Sequence, residues 1–340
     1  MQLLQPTRRT AMNRNHPANG WPLALLLAAT LALHGCNEPT AATAAPANTT
    51  RHGDYTPLTV QHKLGTTVIS QLPQRTVALD MNEVDFLDQL GVPVAGMPKD
   101  FVPDFLARYK DAGQTADVGS IVQPNLERVH AARPDLILIT SLQANHYDEL
   151  SEMAPTLHFD VDYRDSETGH VAMVRQHLLS LGQVFGKQGL AQRKADALEA
   201  KLAQARSVTR DRPERALVVL HNNGAFSAFG VQSRYGFIFN DLGVKPATTT
   251  LDTGLHGQPI SSEFIQQANP DILYVVDRTA VMEHRPMMTA DTLDNPLLRQ
   301  TNAWKHGRVV FVDPQAWYVT AASPTSLALI ADDVIRGYQD

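Results

Sequence analysis

The 340-residue chain carries 29 lysines and arginines against 35 aspartates and glutamates, a net charge of -6, with 43% hydrophobic residues and one cysteine. That length suits about two domains, each with a core of its own. The acidic balance, with basic residues crowded only into the first twenty positions, excludes a nucleic-acid surface, and a single sulfur excludes both a disulfide framework and a thiolate metal cage.

In chain order, Arg8, Arg9 and Arg14 precede an apolar run over residues 21–33 that only Pro22 and Thr30 interrupt. Spanning a bilayer takes roughly 18 or more apolar residues, so the run is predicted to be an export signal. Leu33-His34-Gly35-Cys36 follows and resembles the lipobox of bacterial lipoproteins, whose cysteine is lipidated and becomes the mature N-terminus. Residues 1–35 are thus expected to be a lipoprotein signal peptide and Cys36 the lipidation site; an ordinary cleavage site beside a free thiol is the other reading. Arg8-Arg9 raises twin-arginine export, and Met12 is an alternative start to Met1. Removing residues 1–35 takes three arginines and no acidic group, leaving 26 basic against 35 acidic groups, net -9. Residues 36–56, rich in Ala, Thr, Pro and Asn without apolar periodicity, predict a disordered tether.

From residue 57 the pattern changes. Strands are predicted over 77–80, 135–140, 156–162, 216–221, 271–277 and 308–313, alternating with amphipathic stretches, which implies parallel sheets covered by helices. Residues 125–139 align with 261–275 at a constant offset of 136, each reading as helix, Pro-Asp turn and buried strand, as duplicated α/β lobes would. Between the halves, Val171, Val174, Leu178, Leu181 and Phe185 recur at helical spacing, with Gly186 and Gly189 closing the run. The expected layout is an N-terminal α/β lobe at 57–166, a single long linking helix at 167–189 and a C-terminal α/β lobe at 190–340. Ligands in such folds sit between lobes, at the carboxyl ends of the strands.

Several ordered motifs resemble one family: His62-Lys-Leu-Gly-Thr-Thr67, Asp117-Val-Gly119, Ala132-Arg-Pro-Asp-Leu-Ile137, Ser233-Arg-Tyr-Gly-Phe-Ile238, His256-Gly-Gln258, Val276-Asp-Arg278 and Asp313-Pro-Gln-Ala-Trp-Tyr318. They are similar to the substrate-binding proteins of bacterial iron-siderophore ABC importers, the class III periplasmic binding proteins, and most of all to the branch that captures catecholate siderophores. The resemblance implies two Rossmann-like lobes joined by one helix, no enzymatic activity and no intrinsic cofactor. It also implies a ferric siderophore as ligand, permease subunits of the inner membrane as partners, a monomeric chain, and a periplasmic or cell-surface location on a lipid anchor.

The resemblance assigns Arg234 and Arg278 to the siderophore, and a guanidinium suits an anionic catecholate because its planar fork meets paired oxygens and stacks on rings. It assigns His256 and Tyr318 as ligands to ferric iron where a tetradentate chelator leaves two sites open, imidazole nitrogen and phenolate oxygen both suiting that hard cation. One departure is expected to matter: related catecholate binders carry a third arginine where this chain has Leu142, so the ligand is less anionic than a tris-catecholate, or Lys99 or Arg164 compensates. Glu127 and Glu263, equivalent in the repeat, are expected to dock on permease arginines; acidic residues also suit helix N-termini for local reasons. A haem-binding importer component is the alternative, since His and Tyr also ligate haem, and a periplasmic hydrolase a more distant one. Direct capture of bare zinc or manganese would need a cage that only His256 begins to supply.

Overall fold

The computed structural model describes residues 55–111, 113–161, 169–251, 256–293 and 295–339. The expected signal peptide, Cys36 and Arg164 lie outside them. An antiparallel hairpin of β1 (Leu58–His62) and β2 (Gly65–Ile69) leads into the first lobe. That lobe is a sheet of β3 (Thr76–Ala78), β4 (Val94–Met97), β5 (Ala116–Asp117), β6 (Leu136–Thr140) and β7 (Thr156–Phe159), all parallel, in the spatial order β5-β4-β3-β6-β7. Its crossovers contain α1 (Met81–Gln89), α2 (Leu126–Ala131) and α3 (Tyr147–Met153). Helices on both faces explain why every residue of β3, and every residue of β6 but Thr140, is buried rather than every second one.

The chain then runs through α4 (His170–Val184) and α5 (Gln188–Thr209) to the second lobe. There follow β8 (Arg215–Asn222), β9 (Ala225–Phe229), α6 (Phe237–Asn240), β10 (Lys245–Pro246) and β11 (Gln258–Ile260). The lobe closes with α7 (Ser262–Ala268), β12 (Ile272–Asp277), α8 (Arg278–Glu283), α9 (Asn302–Lys305), β13 (Val309–Phe311) and α10 (Pro324–Arg336). Its sheet order is β11-β9-β8-β12-β13, with β10 paired to the start of β8.

This second sheet is mixed where only parallel strands were expected. β8, β12 and β13 run parallel, but β9 returns antiparallel from β8 with Asn222 opposite Ala225. Asn223 and Gly224 make the two-residue turn at φ 49° and 85°, the left-handed pair that an Asn-Gly hairpin requires. The linking helix also differs from the expected 167–189. α4 stops at Val184 because Gly186 takes φ 63°, its N–H donating to the Gln183 carbonyl while Lys187 N–H reaches the Gly182 carbonyl. That double closure ends a helix outright, and the longer helix is α5, with 22 residues.

The internal repeat is carried into three dimensions. Asn125 and Ser261 cap α2 and α7, each accepting from the N–H three residues on. Arg133 and Asn269 both end their helices in the left-handed region, at φ 48° and 42°. Asp135 N–H then bonds the Arg75 carbonyl at 3.0 Å, and Asp271 N–H bonds the Arg215 carbonyl at 2.8 Å. Each aspartate carboxylate also accepts from the same neighbour's N–H, so one Pro-Asp turn sets the register of a central strand pair in each lobe.

α4 touches both lobes. Near its middle, His177 pairs with the buried Glu83 at 2.9 Å and stacks on Phe159 at 4.0 Å. At its start, the buried His170 meets the Ala321 carbonyl at 2.9 Å and packs on Phe237. α1 grips the start of α10 as well, for buried Asp85 accepts from Thr325 N–H at 2.8 Å and from its hydroxyl at 2.6 Å. A carboxylate at a helix N-terminus complements its dipole, so the first lobe caps the last helix of the second.

Candidate functional site

Three segments meet in the second lobe, two of them at the carboxyl ends of the parallel strands β12 and β13. The first is the turn after β9, where the buried Ser233 hydroxyl donates to the Gly230 carbonyl at 2.6 Å and the buried Tyr235 hydroxyl donates to the Trp317 carbonyl at 3.0 Å. The second is the start of α8, capped by Asp277, which accepts from Ala280 N–H at 3.1 Å. The third is a wide helical turn over Gln315–Val319, in which Thr320 N–H reaches the Gln315 carbonyl five residues back. Asp313 starts that turn by accepting from the N–H groups of Gln315 and Ala316.

Arg234, Arg278 and Tyr318 come together there. The Arg234 guanidinium lies 5.2 Å from the Tyr318 ring centre and that of Arg278 lies 5.4 Å from it. Arg234 also donates to the Tyr318 carbonyl, while Arg278 Nε–H donates to Tyr318 Oη at 2.7 Å and its Nη1–H to Asn222 Oδ1 at 3.0 Å. A ring with its negative face to a cation attracts each guanidinium, but the two like charges repel one another. Among the described residues no carboxylate pairs with either arginine. All three side chains are half-buried, so this is a preassembled positive wall still open to a ligand. Asn222, the last residue of β8, was missed in the sequence; the Asn-Gly turn that follows it was the available signal.

His256 is not joined to this group. It sits exposed in the turn that precedes β11, and residues 252–255 before it lie outside the described part. Lys99 lines a cavity of about 480 Å³ between the lobes, with Asp100 and Phe101 on one side and Ala280, Gln315 and Val319 on the other. The cavity wall includes the residue next to Tyr318, while Arg234, Arg278 and Tyr318 themselves stand outside its lining. Phe101 stacks on His284 across it at 5.9 Å, and Asp104 N–H donates to Gln315 Oε1 at 2.8 Å. Leu142, in the turn after β6, is 50% exposed. Among the described residues no three His, Cys, Asp or Glu side chains converge as a metal cage.

A family model described as periplasmic binding protein matches residues 77–316, most of the two lobes. The chain belongs to that family. It is 60% identical over 284 residues, 84% of this chain and 88% of the relative, to the ferric-anguibactin-binding protein FatB of Vibrio anguillarum. It is 32% identical over 287 residues, 83% of this chain and 88% of the relative, to the petrobactin-binding protein YclQ of Bacillus subtilis. The solved structure of the siderophore-binding protein BauB, bound to a complex of two acinetobactin molecules and ferric iron, matches with a TM-score of 0.80. Identity there is 62%, with 84% of this chain and 99% of that one covered. This periplasmic binding protein therefore has the class III fold and is a solute-binding protein, not an enzyme.

Behind the positive wall the binding protein keeps a buried carboxyl. Asp333 Oδ2 accepts from Trp317 Nε1–H at 2.8 Å and from Asp313 N–H at 2.9 Å, and its other oxygen meets Arg336 at 2.8 Å. Burial pushes Asp333 up to about 6, against the pull of those hydrogen bonds and of Arg336. Burial likewise lowers His170 to about 4, outweighing its bond to Ala321. The two act oppositely on acidification. His170 stays neutral when folded but takes a proton when unfolded, so its stabilisation, complete above its ordinary value, falls as pH drops from about 6.5 toward 4. Asp333 takes its proton earlier in the folded state, so stability rises as pH drops from about 6 toward 4. Asp333→Asn removes that offset. Relative to the unaltered chain, the variant is expected to lose about 1.4 kcal/mol per pH unit between pH 6 and 4. Urea midpoints at each pH measure this, and parallel profiles would contradict it.

Proposed function

We propose that this binding protein captures a ferric siderophore outside the inner membrane and delivers it to an ABC importer. The observation that carries the reading is the Arg234–Tyr318–Arg278 stack, two guanidinium groups without carboxylate partners among the described residues, which only an anionic ligand would neutralise. The named ligands of FatB, YclQ and BauB, all siderophores or their ferric complexes, support it. Iron is cargo here, arriving with most of its donors supplied by the chelator. Tyr318 and His256 are the side chains proposed to fill positions that a tetradentate chelator leaves vacant, with His256 brought in from its exposed turn.

Titration of the soluble chain from Asn37 onward with ferric bis-catecholates tests this. One-to-one quenching of protein fluorescence with a broad visible band is expected. A Soret band with haem, and no response to ferric catecholates, would overturn the reading.

Leu142 bears on the charge of the ligand. Leu142→Arg is expected to tighten binding of the more negative ferric complexes by about tenfold, the worth of one added charge-assisted contact; equal or weaker binding by fluorescence quenching counts against a ligand poorer in charge.

Cys36 is proposed as the lipid anchor and the working unit as a monomer. Glu127 and Glu263 are exposed in the first turns of α2 and α7, one on each lobe, and are proposed to meet permease arginines. Reversing both charges is expected to abolish uptake and leave ligand affinity within about twofold, since exposed charges far from a site shift its energetics little; unchanged uptake refutes the docking role.

A further inference from the structure

Charge on the second-lobe wall accounts for only one edge of a ligand. Among the described residues, Val122 is the most exposed large hydrophobic side chain at 68%, and Leu142 follows Val68 at 50%. Val68 belongs to the β1–β2 hairpin, but Val122 and Leu142 lie beyond the carboxyl ends of β5 and β6, the edge of the first lobe where its ligand crevice belongs.

Hydrogen bonds hold the backbone beside both side chains in place. Gln143, fully buried, donates to the Ile121 carbonyl at 2.6 Å, and its Oε1 accepts from Thr140 N–H at 3.0 Å. Ile121 N–H in turn donates to Asp100 Oδ2 at 3.2 Å, and Asp100 lines the cavity between the lobes. A buried amide thus fixes the residues next to Val122 and Leu142 to each other and to the cavity wall. Apolar area held in water in this way gains free energy from any partner that covers it, at about 25 cal/mol per Å².

We infer that Val122 and Leu142 form an apolar landing for the uncharged ring or chain of the chelate, so that the ligand is amphiphilic: anionic donors toward Arg234 and Arg278, an uncharged flank toward the first lobe. This rests on the ferric-siderophore reading of the cleft. A ligand charged on every side leaves these two side chains facing charge.

The test compares two ferric bis-catecholamides of equal denticity, one with a plain pentyl linker and one with the same linker bearing a sulfonate. The unaltered chain is expected to bind the plain complex about tenfold more tightly, the scale set by covering some tens of Å² of apolar surface. The double variant Val122→Ser with Leu142→Ser is expected to narrow that preference to less than about threefold by weakening the plain complex alone. Both positions are exposed, so its unfolding midpoint should match that of the unaltered chain. Retention of the full preference in the double variant, or no preference in the unaltered chain, overturns the landing while leaving the siderophore reading in place. Binding of neither complex by the unaltered chain overturns both.

Discussion

Changing Arg234 and Arg278 together to glutamine is expected to weaken binding of a ferric bis-catecholate by on the order of a thousandfold. Each guanidinium faces an anionic chelate oxygen in the proposed complex, and a hydrogen bond to a charged group is worth about 1.5–3 kcal/mol, or ten- to a hundredfold in affinity. The two losses should not add cleanly, because both arginines pack on the one Tyr318 ring and neighbours that share a partner couple. Arg278→Lys is expected to recover only part of the loss. An ammonium restores the charge but cannot reproduce a fork that reaches Tyr318 Oη and Asn222 Oδ1 together. In the ligand-free chain the double change relieves repulsion between like charges, so its thermal midpoint should stay within about 2 °C of the unaltered value. Fluorescence titration gives the affinities. Unchanged affinity with an intact fold would remove both arginines from the site.

Trp317→Ala should produce the largest loss of stability. Trp317 is completely buried, its ring 5.3 Å from that of Tyr235 and 6.0 Å from that of Tyr274, with its N–H on Asp333. Truncating such a side chain costs about 3–5 kcal/mol through lost transfer energy and the cavity left behind. The effect should reach the ligand as well, since the Trp317 carbonyl holds Tyr235 and the next residue is Tyr318. Trp317→Phe keeps most of the volume and loses one buried hydrogen bond, costing about 1–3 kcal/mol. Denaturant midpoints separate the two variants. A loss below about 1 kcal/mol for Trp317→Ala would mean that the turn repacks without its anchor.

The sequence made the parallel framework legible because its signals are local. β6 and β12 follow a Pro-Asp turn that repeats at a fixed offset, and each buries an unbroken apolar run. The β8–β9 hairpin was legible too, in Asn223-Gly224, but a strand read as ending at residue 221 concealed it. The end of α4 depended on Gly186, which stands in the sequence beside Gly189; only backbone geometry distinguishes the cap from a glycine inside α5.

The site was legible in another way. Arg234, Arg278 and Tyr318 stand 44 and 40 residues apart, and no spacing rule brings them together. They meet because the segments after β12 and β13 emerge at one edge of one sheet, and the turn after the antiparallel β9 is tied to them by Arg234 and Tyr235, which donate to the Tyr318 and Trp317 carbonyls. Only the family motifs mark the three residues in the sequence. His256 matches in sequence and is exposed on its own turn. Asp333 and Val122 carried no such signal, since what a buried acid or a loop valine can do depends on what tertiary structure sets beside it.

The most direct test is the position of iron in crystals of the chain grown with a ferric bis-catecholate, read from its anomalous scattering. The expected result is one iron peak beside the Arg234–Tyr318–Arg278 stack, with chelate oxygens accepting from both guanidinium groups. An iron peak elsewhere, for example in the cavity lined by Asp313, Asp332 and Asp333, with both arginines untouched, would contradict the account.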